Sequence, residues 1–230
     1  MKNPVRKLKS FRRSVYGLRM YVPWLRERHI LEAMVGPLGY WNKLQAYQLN
    51  VLVSNGLKPN HTLLDIGCGP LQGGIAFIKY LEKNNYYGLD INEKKLNAGK
   101  GQIVKHGLEN KNPHLFISKP GEYGILDGNS FDYMWASQVL YYFNDDMIKS
   151  LIKMISQKLN KNGKFLADII GPYHYESKTR EYGWNLHSIE SLNKITEVFQ
   201  LKVRRIGVLS QYGYPKRVGM SSSLLIEIAK

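Results

Sequence analysis

A buried strand that runs straight into a glycine-rich turn and then a helix constrains this chain more than any other feature. The segment is Leu63-Leu64-Asp65-Ile66-Gly67-Cys68-Gly69-Pro70-Leu71-Gln72-Gly73-Gly74, followed by Ile75, Ile78 and Leu81 at helical spacing. Glycine in such a turn lets the backbone approach a ligand closely, and the helix start offers unpaired N–H groups. In an open α/β sheet, that position is the natural ligand crevice. A dinucleotide fingerprint would place its third glycine at position 72. Position 72 is Gln and the next glycine is Gly73, so the spacing is one residue too long. Asp90 closes the next strand, where its carboxylate can accept both hydroxyls of a ribose.

The rest of the chain alternates between strand and helix. Strands are predicted over 62–66, 86–90, 114–118, 131–136 and 164–170, with two late strands over 201–209 and 222–229. Helices are predicted over 40–55, 75–81, 94–106, 144–163 and from Ser188 onward. Gly56 caps the first of these, and Asn144 opens and Gly163 ends the fourth. This order predicts an α/β fold with a doubly wound Rossmann-like sheet. The sheet is mostly parallel, with an antiparallel edge pair at the C-terminus. At 230 residues and 43% hydrophobic content, the chain is sized for one such domain, read as residues 36–230. No apolar run reaches the roughly 18 residues of a membrane span. No cleavable signal pattern is present, because Arg and Lys interrupt the leading apolar residues. The one cysteine, Cys68, excludes an internal disulfide and a cysteine zinc cluster, and the expected compartment is the cytoplasm.

The charge is uneven. The net charge is +15, and the first 28 residues hold nine Lys and Arg against Glu27 alone. Val5, Leu8, Val15, Leu18, Val22 and Leu25 form an apolar stripe through them, with Pro23 expected to kink or divide the helix. Residues 1–35 are therefore read as a basic amphipathic helical segment. Its partner is an anionic membrane surface met through residues 1–28, or its own domain. That reading puts the protein in the cytoplasm, peripheral to the inner face of a membrane. Nucleic acid is a possible but less favoured partner, because basic and aromatic residues do not interleave in a recognisable module.

On these motifs the chain resembles the class I S-adenosylmethionine-dependent methyltransferases. The matching text is Leu64-Asp65-Ile66-Gly67-Cys68-Gly69, then Tyr87-Gly88-Leu89-Asp90-Ile91. Ser130-Phe131-Asp132-Tyr133 leads to Ser137-Gln138-Val139-Leu140, and Leu159-Asn160-Lys161-Asn162-Gly163-Lys164-Phe165 follows. All lie in the family's order, over residues 40–230. The resemblance implies S-adenosyl-L-methionine as cofactor. Gly67 and Gly69 would pass beneath its methionine part, with Cys68 between them as a packing residue, and Asp65 would help hold its ammonium group. Asp90 would bind the ribose and Ile91 would lie against the adenine. Ser137 and Gln138 would face the methionine and sulfonium region. An acidic residue often follows the third strand in this family. Here Glu122 is the nearest, so adenine recognition is unassigned.

A Pro-Cys pair after the fourth strand and an Asn/Asp-Pro-Pro-aromatic motif are both missing, which argues against cytosine and amino-methylating nucleic-acid enzymes. No metal ligands cluster, and Asp168 lacks evident carboxylate partners. The acceptor side is read from aromatic segments after the fourth and fifth strands. These contain Tyr141 and Tyr142, then Tyr173, His174, Tyr175, Trp184 and His187. As a group, the residues over 171–187 read as a lid. His174 and Tyr142 are the candidate catalytic residues. His174 would act as general base, and His187, just before the helix cap at Ser188, ranks below it as a structural group. The expected function is methyl transfer to an oxygen or nitrogen of a small molecule or glycan. An RNA or protein methyltransferase, or a non-catalytic cofactor-binding scaffold acting through the basic tail, are the alternatives.

Overall fold

The computed structural model describes residues 23–170 and 183–230. The chain divides after Trp41 into two compact units. In the leading unit, the described helix α1 spans Pro23–Val35, and whether Pro23 divides a longer helix lies outside the described residues. Glu32 accepts a hydrogen bond from the Gly39 N–H at 2.7 Å. Arg28 stands 5.1 Å from the centroid of the Trp41 ring. The earlier part of the basic stripe lies outside the described residues.

The second unit holds α2 (Trp41–Ser54, from Asn42 onward), β1 (Leu63–Ile66), α3 (Gly74–Tyr80) and β2 (Tyr86–Asp90). It continues with α4 (Glu93–Lys105), β3 (His114–Ile117), β4 (Phe131–Ala136), α5 (Asp145–Lys158) and β5 (Leu159–Ile169). It closes with α6 (Ile189–Glu197), β6 (Lys202–Val208) and β7 (Leu224–Ala229). The strands form one sheet in the order β3-β2-β1-β4-β5-β7-β6. Pairings from β3 through β5 are parallel, and β7 runs antiparallel to both β5 and β6. The expected architecture, including the antiparallel closing pair, is the one observed. Strand order reverses between β1 and β4, so the crevice of this sheet opens over the ends of those two strands.

Side-chain alternation assigns the two faces. Leu64, Ile66, Met134, Ala136, Phe165, Ala167 and Ile169 pack against Ile148, Leu151, Ile152 and Ile155 of α5 and Leu192 of α6. The helix caps behave as the sequence predicts. Asn144 accepts from the Met147 N–H at 3.0 Å, and Ser188 forms a capping box with Ser191. The opposite face carries Tyr133, Trp135 and Asp65. Trp135 Nε1 donates to Gln48 Oε1 of α2 at 3.1 Å, and the Tyr133 hydroxyl donates to the Asn55 carbonyl at 2.9 Å. No described helix is long and apolar enough to cross a membrane.

One boundary is corrected. Helix α5 ends at Lys158, not at Gly163, and the chain enters β5 at once. The reason is tertiary. Leu159 pairs with Phe131 of β4, and the register then shifts before Tyr133 meets Lys164. Gly163 is not a helix cap. It is a point of close backbone approach, where a Cβ would stand 2.9 Å from Leu159 Cδ1 and 3.0 Å from the Asp132 carbonyl oxygen. Gly163→Ala is therefore expected to destabilise the fold by about 1–3 kcal/mol through overpacking against a carbonyl that cannot move freely. Urea denaturation of the variant beside wild type measures this, and a loss below about 0.5 kcal/mol would return Gly163 to the role of a simple stop signal.

Candidate active site

The glycine turn sits at the C-terminal end of β1 in the crevice. Gly67 and Gly69 both adopt left-handed backbone (φ +72° and +55°), which glycine takes without steric cost. Leu71 is also left-handed at φ +63°, and it is fully buried. At Gly67 a Cβ would stand 2.5 Å from Val139 Cγ2, so the loop after β4 closes directly over the turn. Gly88 leaves room for the Cys68 thiol, which a Cβ there would approach to 3.0 Å. Burial, with the charges of Asp65 and Asp90 adding to it, pushes that thiol well above its ordinary range. Cys68 packs the turn and is a poor nucleophile at neutral pH.

Asp90, at the end of β2, reaches back to the turn. Its Oδ2 accepts from the Gly69 N–H at 2.8 Å, and its Oδ1 accepts from the Asn92 N–H at 2.7 Å. Each oxygen keeps a further lone pair for a ligand. Beside it, Ile91 is 63% exposed. With Ile117, Ile125, Pro120, Lys119 and Glu122 it lines a cleft of about 600 Å³. Apolar walls around one or two polar groups characterise a ligand cleft. Glu122 is on its rim, 4.0 Å from Lys119 Nζ.

Asp65 lies under the turn. Its Oδ2 accepts from the Tyr86 hydroxyl at 2.8 Å. Burial pushes its carboxyl up to about 7; the Tyr86 hydrogen bond opposes that rise and the Asp90 charge adds to it. Ser137 and Gln138, at the end of β4, engage Asp168 of β5. The Ser137 hydroxyl donates to Asp168 Oδ2 at 2.9 Å, and Gln138 Nε2 donates to Oδ1 at 3.0 Å. The Gln138 backbone N–H lies 3.1 and 3.0 Å from the two carboxylate oxygens.

The acceptor-side candidates separate into three cases. Tyr142 is 61% exposed, with its ring 4.5 Å from that of Tyr141. Tyr141 in turn packs on Trp184 at 4.7 Å. The His187 ring nitrogen Nε2 lies 3.1 and 2.9 Å from the carbonyl oxygens of Leu140 and Phe143. An N–H there donates to two main-chain acceptors and ties the loop after β4 to the start of α6. This is the structural placement expected for His187. Tyr173, His174 and Tyr175 lie outside the described residues, so the proposed general base has no geometry here. No group of three or more His, Cys, Asp or Glu among the described residues is arranged to hold a metal ion.

Residues 64–165 match the methyltransferase domain family. A probable methyltransferase, ltbC, of Aspergillus luteorubrus is 29% identical over 128 residues, which is 52% of this chain and 44% of that protein's length. Among solved structures, an S-adenosylmethionine-dependent methyltransferase from Clostridium acetobutylicum shares the fold. It has a TM-score of 0.66 and 15% identity, over 87% of this chain and 96% of that one. The magnesium protoporphyrin IX methyltransferase of Synechocystis, solved with bound S-adenosylhomocysteine, does so at a TM-score of 0.65 and 13% identity. That match covers 92% of this chain and 95% of that one. The subfamily is not identified by these likenesses.

The second unit also places around the site residues to which the sequence assigned no partner. Tyr86 was legible only as a buried strand residue, yet it is the partner of Asp65. Asp168 was legible as an acid in a hydrophobic strand, and such a residue signals a buried polar network. Tyr47 of α2 is buried, and its hydroxyl has no hydrogen-bond partner among the described residues.

The raised Asp65 carboxyl has a stability consequence. An unfolded Asp titrates near 3.9. Between about pH 4 and about 7 the folded domain keeps a proton that the unfolded chain releases, so stability falls as pH rises through that window. Asp65→Asn removes this term. The loss of stability between pH 5 and pH 8 is expected to shrink by about 1–3 kcal/mol in the variant. Urea denaturation at the two pH values checks this, and parallel pH profiles for variant and wild type would contradict it.

Proposed function

We propose that this chain is an S-adenosylmethionine-dependent methyltransferase acting on an oxygen or nitrogen of a small molecule or glycan. The observation that carries the reading is the pairing of the glycine turn with Asp90. Asp90 grips the Gly69 N–H and still offers lone pairs beside an apolar cleft over the ends of β2 and β3. The residues fit the cofactor. Gly67 and Gly69 give its methionine part close access to the backbone. Asp65, poised near 7, takes the ammonium end, and a cation there favours its ionised form. Asp90 receives the ribose hydroxyls, and Ile91 with Ile117 and Ile125 receives the adenine. Ser137 and Gln138 border the methionine end, with Cys68 packed beneath.

When bound, this cofactor supplies an electrophilic methyl carbon on a sulfonium. The chain's own work is to exclude water and align the acceptor at about 3–3.5 Å. Tyr142 offers an exposed hydroxyl that can hydrogen-bond an acceptor at the rim. His174 is the base assigned on sequence grounds, to take the acceptor's proton on an imidazole nitrogen. The aromatic content after β4 and β5 supports a compact, ring-bearing acceptor rather than a long anionic polymer. The leading segment is assigned to an anionic membrane surface, which puts the protein in the cytoplasm at the inner face of a membrane. Each basic residue near such a surface adds on the order of 1 kcal/mol, screened by salt.

The cofactor assignment is tested by titration calorimetry with S-adenosylhomocysteine. Asp90→Ala is expected to weaken binding about 100-fold or more, since it loses two charge-assisted contacts and unhitches the Gly69 N–H. Asp90→Asn, which keeps one acceptor oxygen, should fall between. Unchanged affinity in both variants would refute the ribose role. Methyl-labelled cofactor incubated with paired hydroxyl and amine acceptors then identifies the acceptor atom. For the tail, full-length protein is expected to sediment with anionic phospholipid vesicles at low salt, to be released by about 0.5 M salt, and to ignore zwitterionic vesicles. Salt-insensitive or absent binding would remove the membrane assignment.

A further inference from the structure

Asp168 is fully buried at the end of β5, and its hydrogen bonds among the described residues go to one short segment, Ser137 and Gln138. Gln138 is held in left-handed backbone at φ +59°. A non-glycine residue adopts that conformation only when its surroundings outweigh the cost. Here the compensation is visible. The same residue gives its main-chain N–H to both carboxylate oxygens and its side-chain amide to one of them. The next residue, Val139, then stands over Gly67, at the floor of the turn. Asp168 thus fixes the wall that faces the glycine turn across the crevice.

We propose that Asp168 is a positioning residue for the methionine end of the cofactor site, holding Ser137 and Gln138, and through them Val139, in the arrangement that receives the cofactor. The inference rests on the cofactor reading above. Asp168 needs no contact with the cofactor or acceptor. Its ionised carboxylate is what accepts three donors at once. A protonated carboxyl keeps fewer acceptor sites and loses its charge, so the strained Gln138 backbone loses its support.

The surroundings make this state sensitive to pH. Burial raises the carboxyl to about 6, against the opposing hydrogen bonds from Gln138 and Ser137. From α2, Tyr47 faces it, and from the loop after β4, Tyr141 does; neither phenol ionises near neutrality. From β7, Leu225 pairs with it and carries no charge. None of the ion pairs among the described residues includes Asp168. Among the described residues, titration of Asp168 itself therefore sets the behaviour of the wall in this range, apart from Asp65 nearer 7.

The test is calorimetric binding of S-adenosylhomocysteine between pH 5 and 8, in an Asp65→Asn background that removes the neighbouring step. Affinity is expected to drop as pH falls through about 6, because the folded apo protein takes up a proton on Asp168. Asp168→Asn added to that background should weaken binding about tenfold at pH 7.5 and flatten the profile below it. Ser137→Ala, which removes one donor and leaves the carboxylate and the fold in place, should move the acid limb to higher pH. That shift is a signature a merely structural Asp168 would not give, and it stands even if Asp168→Asn does not fold. A profile in which Asp168→Asn binds within twofold of its parent, or Ser137→Ala leaves the limb in place, would overturn the role of Asp168 alone. Absence of S-adenosylhomocysteine binding by wild type at every pH would overturn the cofactor reading itself and this inference with it.

Discussion

Two hydrogen bonds to one carboxylate hold the site together. Asp90 Oδ2 takes the Gly69 N–H from the turn after β1, and Oδ1 takes the Asn92 N–H that leads into α4. The first bond ties the left-handed turn to the neighbouring strand, and the second fixes the start of the next helix, which Asn92 also caps through the Lys95 N–H. Charged acceptors make such bonds about twice as strong as neutral ones. The two bonds add to the main-chain bonds from the Gly67 and Cys68 N–H groups to the Leu89 carbonyl, and together these fix the turn beside Ile91. The ligand face of the sheet is built outward from this contact.

Three carboxylates line the C-terminal edge of the sheet, and their environments divide the work. Asp90 is fed by main-chain donors and keeps room for a ligand. Asp65 sits deeper, and among the described residues the Tyr86 hydroxyl is what offsets its burial, so its carboxyl rises to about 7. Asp168 is enclosed and satisfied by donors from a single loop. The same side chain thus meets three different environments, which differ in desolvation and donor count.

The acceptor side is organised differently. Its described part is aromatic and held by packing: Tyr141 between Tyr142 and Trp184, and Tyr47 against Tyr214 with ring centroids 5.0 Å apart. His187 contributes here by anchoring the main chain of the loop after β4 through its Nε2.

Much of this was legible in the chain itself. The Asp-Ile-Gly-Cys-Gly run at 65–69, the acid at 90 and the alternation of apolar runs dictated a parallel sheet with a ligand crevice, because left-handed turns demand glycine and buried strands demand continuous apolar residues. The caps at Asn144 and Ser188 are equally local, since each bonds a main-chain N–H three residues on. What the sequence could not decide was set by contacts between distant segments. Gly163 looks like a helix stop, and only the approach of the Asp132 carbonyl makes it a strand residue. Asp168 and Gln138 are 30 positions apart, and Tyr86 and Asp65 are 21 apart. Such pairings follow from strand order and register, which place side chains across a sheet from one another. A linear pattern records which face a residue takes, but not which partner waits there.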